Sequence, residues 1–187
     1  LMHARQRRHG VPFHARLLSR VDLLGKIGSA FPGTANAFLS FAPFRQLLRK
    51  VAHIAPERPL PLYAPERFDR WFKKRTAQKP KGYRGTILLW DDCFVRHNEP
   101  HIGHAAVRIL EAAGFVPKLI EGHACCGRPA FSMGRLDLAR KFGRKNLDLL
   151  KKTDEPILFL EPSCYAMFRE EYGELGLDGA LQVAERA

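Results

Sequence analysis

The chain has 187 residues, of which 45% are hydrophobic and 27% are charged, and its formal net charge is +12. This length holds one domain, or one domain with an extension, and the composition is typical of a globular protein. No apolar run approaches the roughly 18 residues of a membrane span. No signal peptide is visible in the basic first residues, and from the start at Leu1 we expect a piece of a longer protein.

Positive charge is concentrated in the first part of the chain. Residues 1–85 hold 18 Lys and Arg against 4 Asp and Glu, whereas residues 86–187 hold 13 against 15. A basic segment of this kind can bind an anionic membrane surface or nucleic acid by charge alone. The sequence has no base-stacking or groove-reading motif, so we expect no nucleic-acid partner.

The basic part is predicted to be a series of short helices. Residues 1–10 are interpreted as a solvated basic arm, and apolar residues at three- and four-residue steps predict one amphipathic helix over 13–28. Helical pieces are expected at 34–41 and 43–51, a proline-containing extended connector at 54–62, and another short helix at 65–75. Polar residues 78–84 predict a linker. The domain boundary is therefore placed there, with a basic helical extension at 1–84 and a second domain at 85–187.

The second domain is predicted to alternate strands and helices. Short apolar runs at 86–90, 115–120 and 157–160 have the length of strands and end in polar or turn residues. Helices are predicted from an Asn98 cap to Gly114, from about 132 to 150, and from 163 to 173. The sequence therefore predicts an α/β fold: a small parallel sheet with flanking helices, preceded by the basic helical extension.

Each predicted strand is followed by cysteine. Cys93 follows the first strand, the adjacent pair Cys125 and Cys126 follows the second, and Cys164 follows the third. Because open α/β sheets bind ligands at the carboxyl ends of their strands, we expect the four thiols to meet in one crevice. Four thiolates suit an iron–sulfur cluster or a structural zinc ion. Small buried apolar residues, or a disulfide between Cys125 and Cys126, are the alternative interpretations.

Other polar residues near the cysteines are weaker candidates. His123 could ligate a metal or tune the site, although a hydrogen-bonding loop residue is the favoured interpretation. Asp91 and Asp92 could bind a proton or orient a substrate, but we favour capping or turn roles. Three further histidines are interpreted as surface residues: His97, His101 and His104.

The pattern Cys93-x31-Cys125-Cys126-Gly127-x36-Cys164 resembles the cysteine-rich CCG domain. That domain occurs in the B subunit of heterodisulfide reductases, in iron–sulfur subunits of glycolate, lactate and anaerobic glycerol-3-phosphate dehydrogenases, and in fused FAD-linked oxidases. The segments 98–100, 110–114 and 161–164 look most like the C-terminal end of the fused oxidases. In those proteins a flavin domain, a ferredoxin-like module and a basic connector precede the CCG domain.

The resemblance implies electron transfer within an FAD-linked dehydrogenase of a small 2-hydroxy acid, of the glycolate, D-lactate or D-2-hydroxyglutarate type. It implies an iron–sulfur cluster on the four cysteines, either 4Fe–4S or noncubane, and FAD in a domain outside this chain. Flavin and ferredoxin-like modules are the expected partners, with an electron acceptor such as a quinone. The expected location is cytoplasmic, with peripheral contact at the inner face of the membrane. The alternative function is a non-catalytic docking module, either zinc-stabilised or metal-free.

Two departures from the family pattern bear on the cluster type. The fuller motif ends in Cys-x-x-Cys, but here Met167 stands in the place of the second cysteine. The heterodisulfide-reductase type also carries two copies of the motif, whereas this chain carries one. A four-thiolate cluster therefore suits the chain better than a five-thiolate noncubane cluster.

Overall fold

The computed structural model describes residues 1–77 and 82–187, so residues 78–81 of the predicted linker lie outside the described part. The extension is a series of short helices: α1 (Met2–His9), α2 (Phe13–Leu18), α3 (Val21–Gly28), α4 (Pro32–Ser40), α5 (Ala42–Ala52) and α6 (Phe68–Lys74). The predicted helical pieces and the irregular connector between α5 and α6 are confirmed. None of the described helices has the length and hydrophobicity needed to cross a bilayer.

The second region is built on a three-stranded parallel sheet with the strand order β2–β1–β3. Its strands are β1 (Gly85–Trp90), β2 (Phe115–Leu119) and β3 (Ile157–Phe159). In the register of the sheet, Leu88 faces Pro156–Ile157 on one side and Lys118 on the other. All three strands were predicted within two residues of their ends. The predicted α/β fold with a small parallel sheet is confirmed.

Helices follow each strand. After β1 come α7 (Cys93–His97) and α8 (Pro100–Ala112), and after β2 come α9 (Arg128–Ser132) and α10 (Leu136–Leu150). After β3 the chain forms α11 (Pro162–Ala166), a π-helical turn (Met167–Glu171), α12 (Tyr172–Glu174) and α13 (Ala180–Ala184). This connectivity brings the first residues of α7, α9 and α11 to the carboxyl edge of the sheet.

Two apolar clusters hold the fold together. The larger one joins the sheet to α10 and to the helices after β3, with Trp90, Leu147 and Phe168 almost fully buried. The smaller one joins Phe68 of α6 to the domain residues Leu89, Val95 and Val107. The last helix of the extension therefore packs into the apolar interior of the second region.

Several sequence expectations are corrected. The predicted helix over 13–28 is wrong in its continuity, because it is broken at Ser19–Arg20. The Ser19 hydroxyl donates to the carbonyl of Arg16 (3.2 Å) and accepts from Arg135 (3.0 Å). A hydroxyl that bonds to a nearby carbonyl competes with regular helix geometry.

The residues before the second long helix also differ from expectation. Gly134, with φ of 71°, separates α9 from α10, so the helix predicted from about 132 starts at Leu136. The first ten residues are largely exposed, as expected of a solvated arm, but they are helical and contact the second region. They form α1, whose His3 and Gln6 donate to the carbonyls of Gly134 (3.1 Å) and Met133 (2.7 Å).

Candidate metal centre

The structure places all four cysteines at the carboxyl edge of the sheet. Cys93 begins α7 directly after β1, Cys125 and Cys126 lie between β2 and α9, and Cys164 lies in α11 after β3. All four line one cavity of about 1050 Å³. Three are buried and Cys93 is partly exposed, and none forms a disulfide. The alternative of a disulfide between Cys125 and Cys126 is therefore not the arrangement that the structure has.

The sulfur atoms contact one another. The Cys164 thiol lies 3.0 Å from Cys126 Sγ, within hydrogen-bonding distance of sulfur. Two thiolates on one tetrahedral zinc ion would be about 3.8 Å apart, given Zn–S bonds of about 2.3 Å. In residues 1–77 and 82–187, no three His, Cys, Asp or Glu side chains form a ready-made site for a single metal ion. The donor set suits a metal, but Cys126 and Cys164 must separate before both can ligate.

The hydrogen bonds among the thiols shift their pKa values in opposite directions. Hydrogen bonds from Cys126 and Cys93 outweigh burial and lower the pKa of the Cys125 thiol to about 3. The same hydrogen bonds to Cys125 raise the pKa values of Cys93 and Cys126 well above the usual value for a thiol. Cys125 is therefore the thiol whose ionisation the surrounding cysteines favour. A thiolate is the form of cysteine that binds metals.

The structure shows why glycine, Gly127, follows the two adjacent cysteines. Its φ of 94° lies in the left-handed region, and its N–H points back to Cys125 Sγ at 3.5 Å. A side chain there would be strained by this backbone conformation and would contact the backbone of Ala139 at 3.4 Å. Glycine therefore lets the chain turn into α9 while it donates to the thiolate.

A buried polar network lies beside the cysteines. His123 Nε2 lies 2.8 Å from Asp91 Oδ1, and Arg96 Nε donates to Asp91 Oδ2 at 2.7 Å. Burial would raise the pKa of Asp91, but the hydrogen bonds with His123 and Arg96 hold it below its usual value. The other ring nitrogen of His123 donates to the carbonyl of Ala124 (2.8 Å). His123 is therefore a hydrogen-bonded loop residue, as favoured, and Arg96 adds positive charge near Cys93.

The two aspartates differ in role. Asp92 Oδ1 accepts from the backbone N–H groups of Phe94 (2.7 Å) and Val95 (3.1 Å), which makes it the cap of α7, as predicted. Asp91 is not a cap or turn residue: it is the carboxylate of the buried ion pair with Arg96. This part of the expectation is corrected. Asp91 directly follows β1, and its carboxyl group faces inward, towards Arg96 and His123.

Two supporting residues were not found from the sequence. Asn146 on α10 accepts from the N–H of Ala124 (2.8 Å) and donates to the carbonyl of Cys125 (3.0 Å). Tyr172 on α12 donates to the carbonyl of Cys126 (2.7 Å). Both side chains are fully buried, and together they fix the backbone of the cysteine pair. An asparagine on the apolar face of α10 was the signal that could have revealed the first of them.

Two further expectations are settled by position. Met167 is fully buried in the larger apolar cluster and does not line the cavity, so its thioether does not replace the missing cysteine. His97 is not a surface residue: it is 2% exposed, and its Nδ1 lies 2.8 Å from the hydroxyl of Ser29. His101 is exposed as predicted, and the ring of His104 packs on Trp71 with centroids 4.0 Å apart.

The extension covers the open side of the site. Helix α3 lies so close to α7 that a Cβ atom at Gly25 would be 2.4 Å from the His97 ring. Side chains of α2–α5 and of the connector form the outer walls of the same cavity that the cysteines line. The candidate metal centre is therefore enclosed by both regions of the chain.

Comparison with known proteins agrees with this geometry. The family described as the cysteine-rich domain CCG matches residues 87–169. The C subunit of the anaerobic glycerol-3-phosphate dehydrogenase of Escherichia coli K12 is 30% identical over 180 residues, which are 91% of this chain and 45% of that protein. The chain thus spans less than half the length of this relative.

Two more relatives match shorter stretches of the chain. Lactate utilization protein A of Bacillus pumilus is 34% identical over 84 residues, which are 45% of this chain and 35% of that protein. An uncharacterised iron–sulfur protein of Methanocaldococcus jannaschii is 27% identical over 89 residues, which are 47% of this chain and 18% of that protein. No solved structure matches the chain. Residues 87–169, with their four cysteines at one sheet edge, belong to the cysteine-rich CCG domain family.

Proposed function

We propose that this chain is an iron–sulfur electron-transfer part of an oxidoreductase, with the cluster held by Cys93, Cys125, Cys126 and Cys164. The observation that carries the proposal is the meeting of four cysteines in one cavity at the carboxyl edge of the sheet. Soft thiolate donors favour iron–sulfur clusters and zinc over hard cations. When bound, such a cluster supplies a site that takes up and releases single electrons.

The residues present fit a four-thiolate group. The pKa of Cys125 is lowered towards the thiolate form, and Gly127 donates to its sulfur. Because Met167 lies outside the cavity, we favour a 4Fe–4S cluster over a five-thiolate noncubane cluster. Structural zinc is the competing occupant.

The names of the relatives support a finer proposal. One is a subunit of a glycerol-3-phosphate dehydrogenase and another is a lactate utilization protein. We accordingly propose that the chain works with flavin and ferredoxin-like modules of an FAD-linked dehydrogenase of a small 2-hydroxy acid, and delivers electrons to an acceptor such as a quinone. The flavin and substrate sites would belong to those modules.

Loss of a cysteine tests the cluster. The full chain, produced and handled without oxygen, should contain iron and acid-labile sulfide, and Cys126→Ser and Cys164→Ser should each remove most of both, because a hydroxyl is a poor ligand beside thiolates. Met167→Leu is the matched control: it also replaces a buried sulfur side chain, but one outside the cavity, so iron and sulfide should stay unchanged. Circular dichroism confirms that each variant is folded.

Two results would contradict this assignment. One is a chain that holds a single zinc ion and no sulfide, which would make the domain a zinc-stabilised docking module. The other is loss of iron in Met167→Leu with retention in Cys164→Ser, which would show that the ligand set is wrongly assigned.

The extension supports a further proposal, peripheral contact with an anionic membrane at the cytoplasmic face. Large apolar side chains are exposed between α2 and α5, interspersed with Arg and Lys: Phe13, Leu23, Ile27, Phe31, Phe38, Phe41 and Leu47. Exposed aromatic residues beside basic ones are typical of segments that lie in the membrane interface.

Sedimentation with lipid vesicles tests this contact. The chain should bind vesicles that contain anionic lipid and be released by salt, and Phe31→Ser with Phe41→Ser should weaken binding about tenfold or more. The control Tyr83→Ser changes an exposed aromatic residue of the second region and should have no effect. Equal binding to neutral and anionic vesicles would contradict the proposal. Failure to bind either would also contradict it, and would indicate that these side chains contact the flavin or ferredoxin-like module instead.

A further inference from the structure

The cavity that the cysteines line is much larger than their cluster would need. Its volume, about 1050 Å³, lies at the upper end of the range of about 300–1,000 Å³ found for pockets that bind small molecules. It runs from the carboxyl edge of the sheet to helices α3, α4 and α5 of the extension. There is therefore space for a second ligand between the cysteines and the outer helices.

The outer walls of this cavity are mainly apolar, although Asp22 and Lys26 of α3 also line it. Leu24 of α3, Phe38 and Leu39 of α4, and Phe44 and Leu48 of α5 all line it. Phe38 is 56% exposed, so it lies at the rim, where the cavity meets solvent. Walls of this composition take up a hydrocarbon chain, because each apolar group removed from water contributes favourably.

The inner end has polar atoms that lack partners. Trp90 Nε1 and Asp92 Oδ2 are both buried, both residues line the cavity, and neither atom has a hydrogen-bond partner among the described residues. Buried polar atoms without partners are uncommon and costly in folded proteins. One indole donor and one carboxyl oxygen together fit a head group that both accepts and donates a hydrogen bond.

The charges at the inner end indicate a neutral head group. Arg96 is already paired with Asp91, and Arg128 is paired with Glu171 of the π-helical turn. The remaining Lys or Arg that lines the cavity in the described residues, Lys26, belongs to α3 in the outer wall and is exposed, so it does not lie at this end.

We propose that the cavity binds a single-chain amphiphile, with a neutral oxygen-bearing head at Trp90 and Asp92 and an apolar chain along α3–α5. Two sources supply this chemistry: an alkyl quinone or its quinol, and a neutral monoacyl lipid. The inference is drawn from the cavity walls and goes beyond cluster binding, so it does not depend on the iron–sulfur assignment.

Calorimetric titration of the full chain tests the proposal, with a decyl-substituted benzoquinone and with monodecanoylglycerol as probes below their aggregation concentrations. At least one probe should bind at one site per chain. Phe38→Glu should weaken binding about tenfold or more, because it places a charge at the mouth of the cavity. Phe41→Glu is the matched control: Phe41 follows the same helix, is 57% exposed and does not line the cavity, so binding should be unchanged.

A second variant tests the orientation of the head. Asp92→Asn keeps the oxygen that caps α7 and replaces only the unpartnered atom, so affinity for the bound probe should change at least about threefold. Preference for the quinone or the glyceride identifies the source. No binding of either probe, or equal weakening by Phe38→Glu and Phe41→Glu, would overturn the proposal. Iron and sulfide are measured on the same samples, so failure of ligand binding and failure of cluster binding are seen separately.

Discussion

Residues 1–77 and residues 82–187 are held in place by different kinds of contact. The second region has a sheet and an apolar cluster that includes Trp90, Leu147 and Phe168. Within residues 1–77 the buried apolar side chains are the small Ala15, Ala52 and Ala64, together with Phe68. The extension is instead positioned by close backbone approaches and by a few hydrogen bonds to the second region, such as that between Ser29 and His97 (2.8 Å).

This difference means that the two regions should respond differently to the same type of substitution. Apolar truncation should matter where the extension enters the core of the second region, and little elsewhere in residues 1–77. Added volume should matter where helices of the extension touch the second region through glycine. Substitutions at Phe68, Gly25, His97 and Gly33 test this contrast.

The largest effect on stability is expected at Phe68. It is 0% exposed and packs against Leu89, Val95 and Val107, so Phe68→Ala should lower the free energy of unfolding by about 3–5 kcal/mol. Phe41→Ala, in an exposed position of the extension, should change it by less than about 0.5 kcal/mol. Urea unfolding measures both. Similar effects of the two substitutions would show that α6 does not anchor the extension.

A smaller loss is expected at Gly25. A Cβ atom there would lie 2.4 Å from the His97 ring, so Gly25→Ala should force α3 away from α7 and cost about 1–3 kcal/mol. Hydrogen exchange of the α3 amides should increase more than that of α10 amides, because the extension is loosened first. If both regions lost protection together, the extension would be part of one cooperative unit with the sheet.

The pH dependence of stability should carry a signature of His97. Burial lowers its pKa from 6.5 to about 4, so the folded chain binds this proton less well than the unfolded chain. The stabilisation is therefore complete above pH 6.5 and is lost as the pH falls towards 4. Between pH 7 and pH 5 the loss should be about 1–2 kcal/mol. Urea unfolding at several pH values gives the free energy of unfolding as a function of pH. That free energy should fall less between pH 7 and pH 5 for His97→Gln than for the unchanged chain, and an identical fall would contradict this assignment.

The smallest effect is expected at Gly33. Like Gly25 it lies in a helix of the extension, but it does not contact the second region. Gly33 lies in α4, and a methyl group added there would meet no atom within 4 Å. Gly33→Ala should therefore stabilise the chain by about 0.4–1 kcal/mol, because it restricts the unfolded state. Thermal unfolding measures the gain, and a loss would indicate a contact on the free face of α4.

The sequence predicted the second region better than the extension. Strands such as Gly85–Trp90 are continuous apolar runs between turn residues, and these local signals agree with the burial that the fold provides. The grouping of the cysteines at one edge then follows from parallel strand direction. In the extension, the apolar spacing over 13–28 resembled one helix. The break at Ser19, whose hydroxyl bonds to the Arg16 carbonyl and accepts from Arg135, is not visible in that spacing.

The surroundings of the cysteines could be predicted only in part. The cap formed by Asp92 depends on its neighbours in sequence, and it was found. The burial of His97 depends on α3 and on Ser29, which directly follows that helix and is 68 residues away in sequence. The support of the cysteine pair by Asn146 and Tyr172 depends on helices that follow later in the chain. Contacts of this range are fixed by packing, so hydrophobic periodicity does not reveal them.

Reductive titration of the anaerobically prepared full chain tests the central claim most directly. Iron–sulfur clusters absorb visible light and lose part of that absorption on reduction, whereas zinc does neither. We predict a brown protein with about four iron and four sulfide per chain, bleached by about one electron per chain, with a paramagnetic signal in one oxidation state. A colourless protein that takes up no electrons would contradict the claim that the four cysteines form an electron-transfer site.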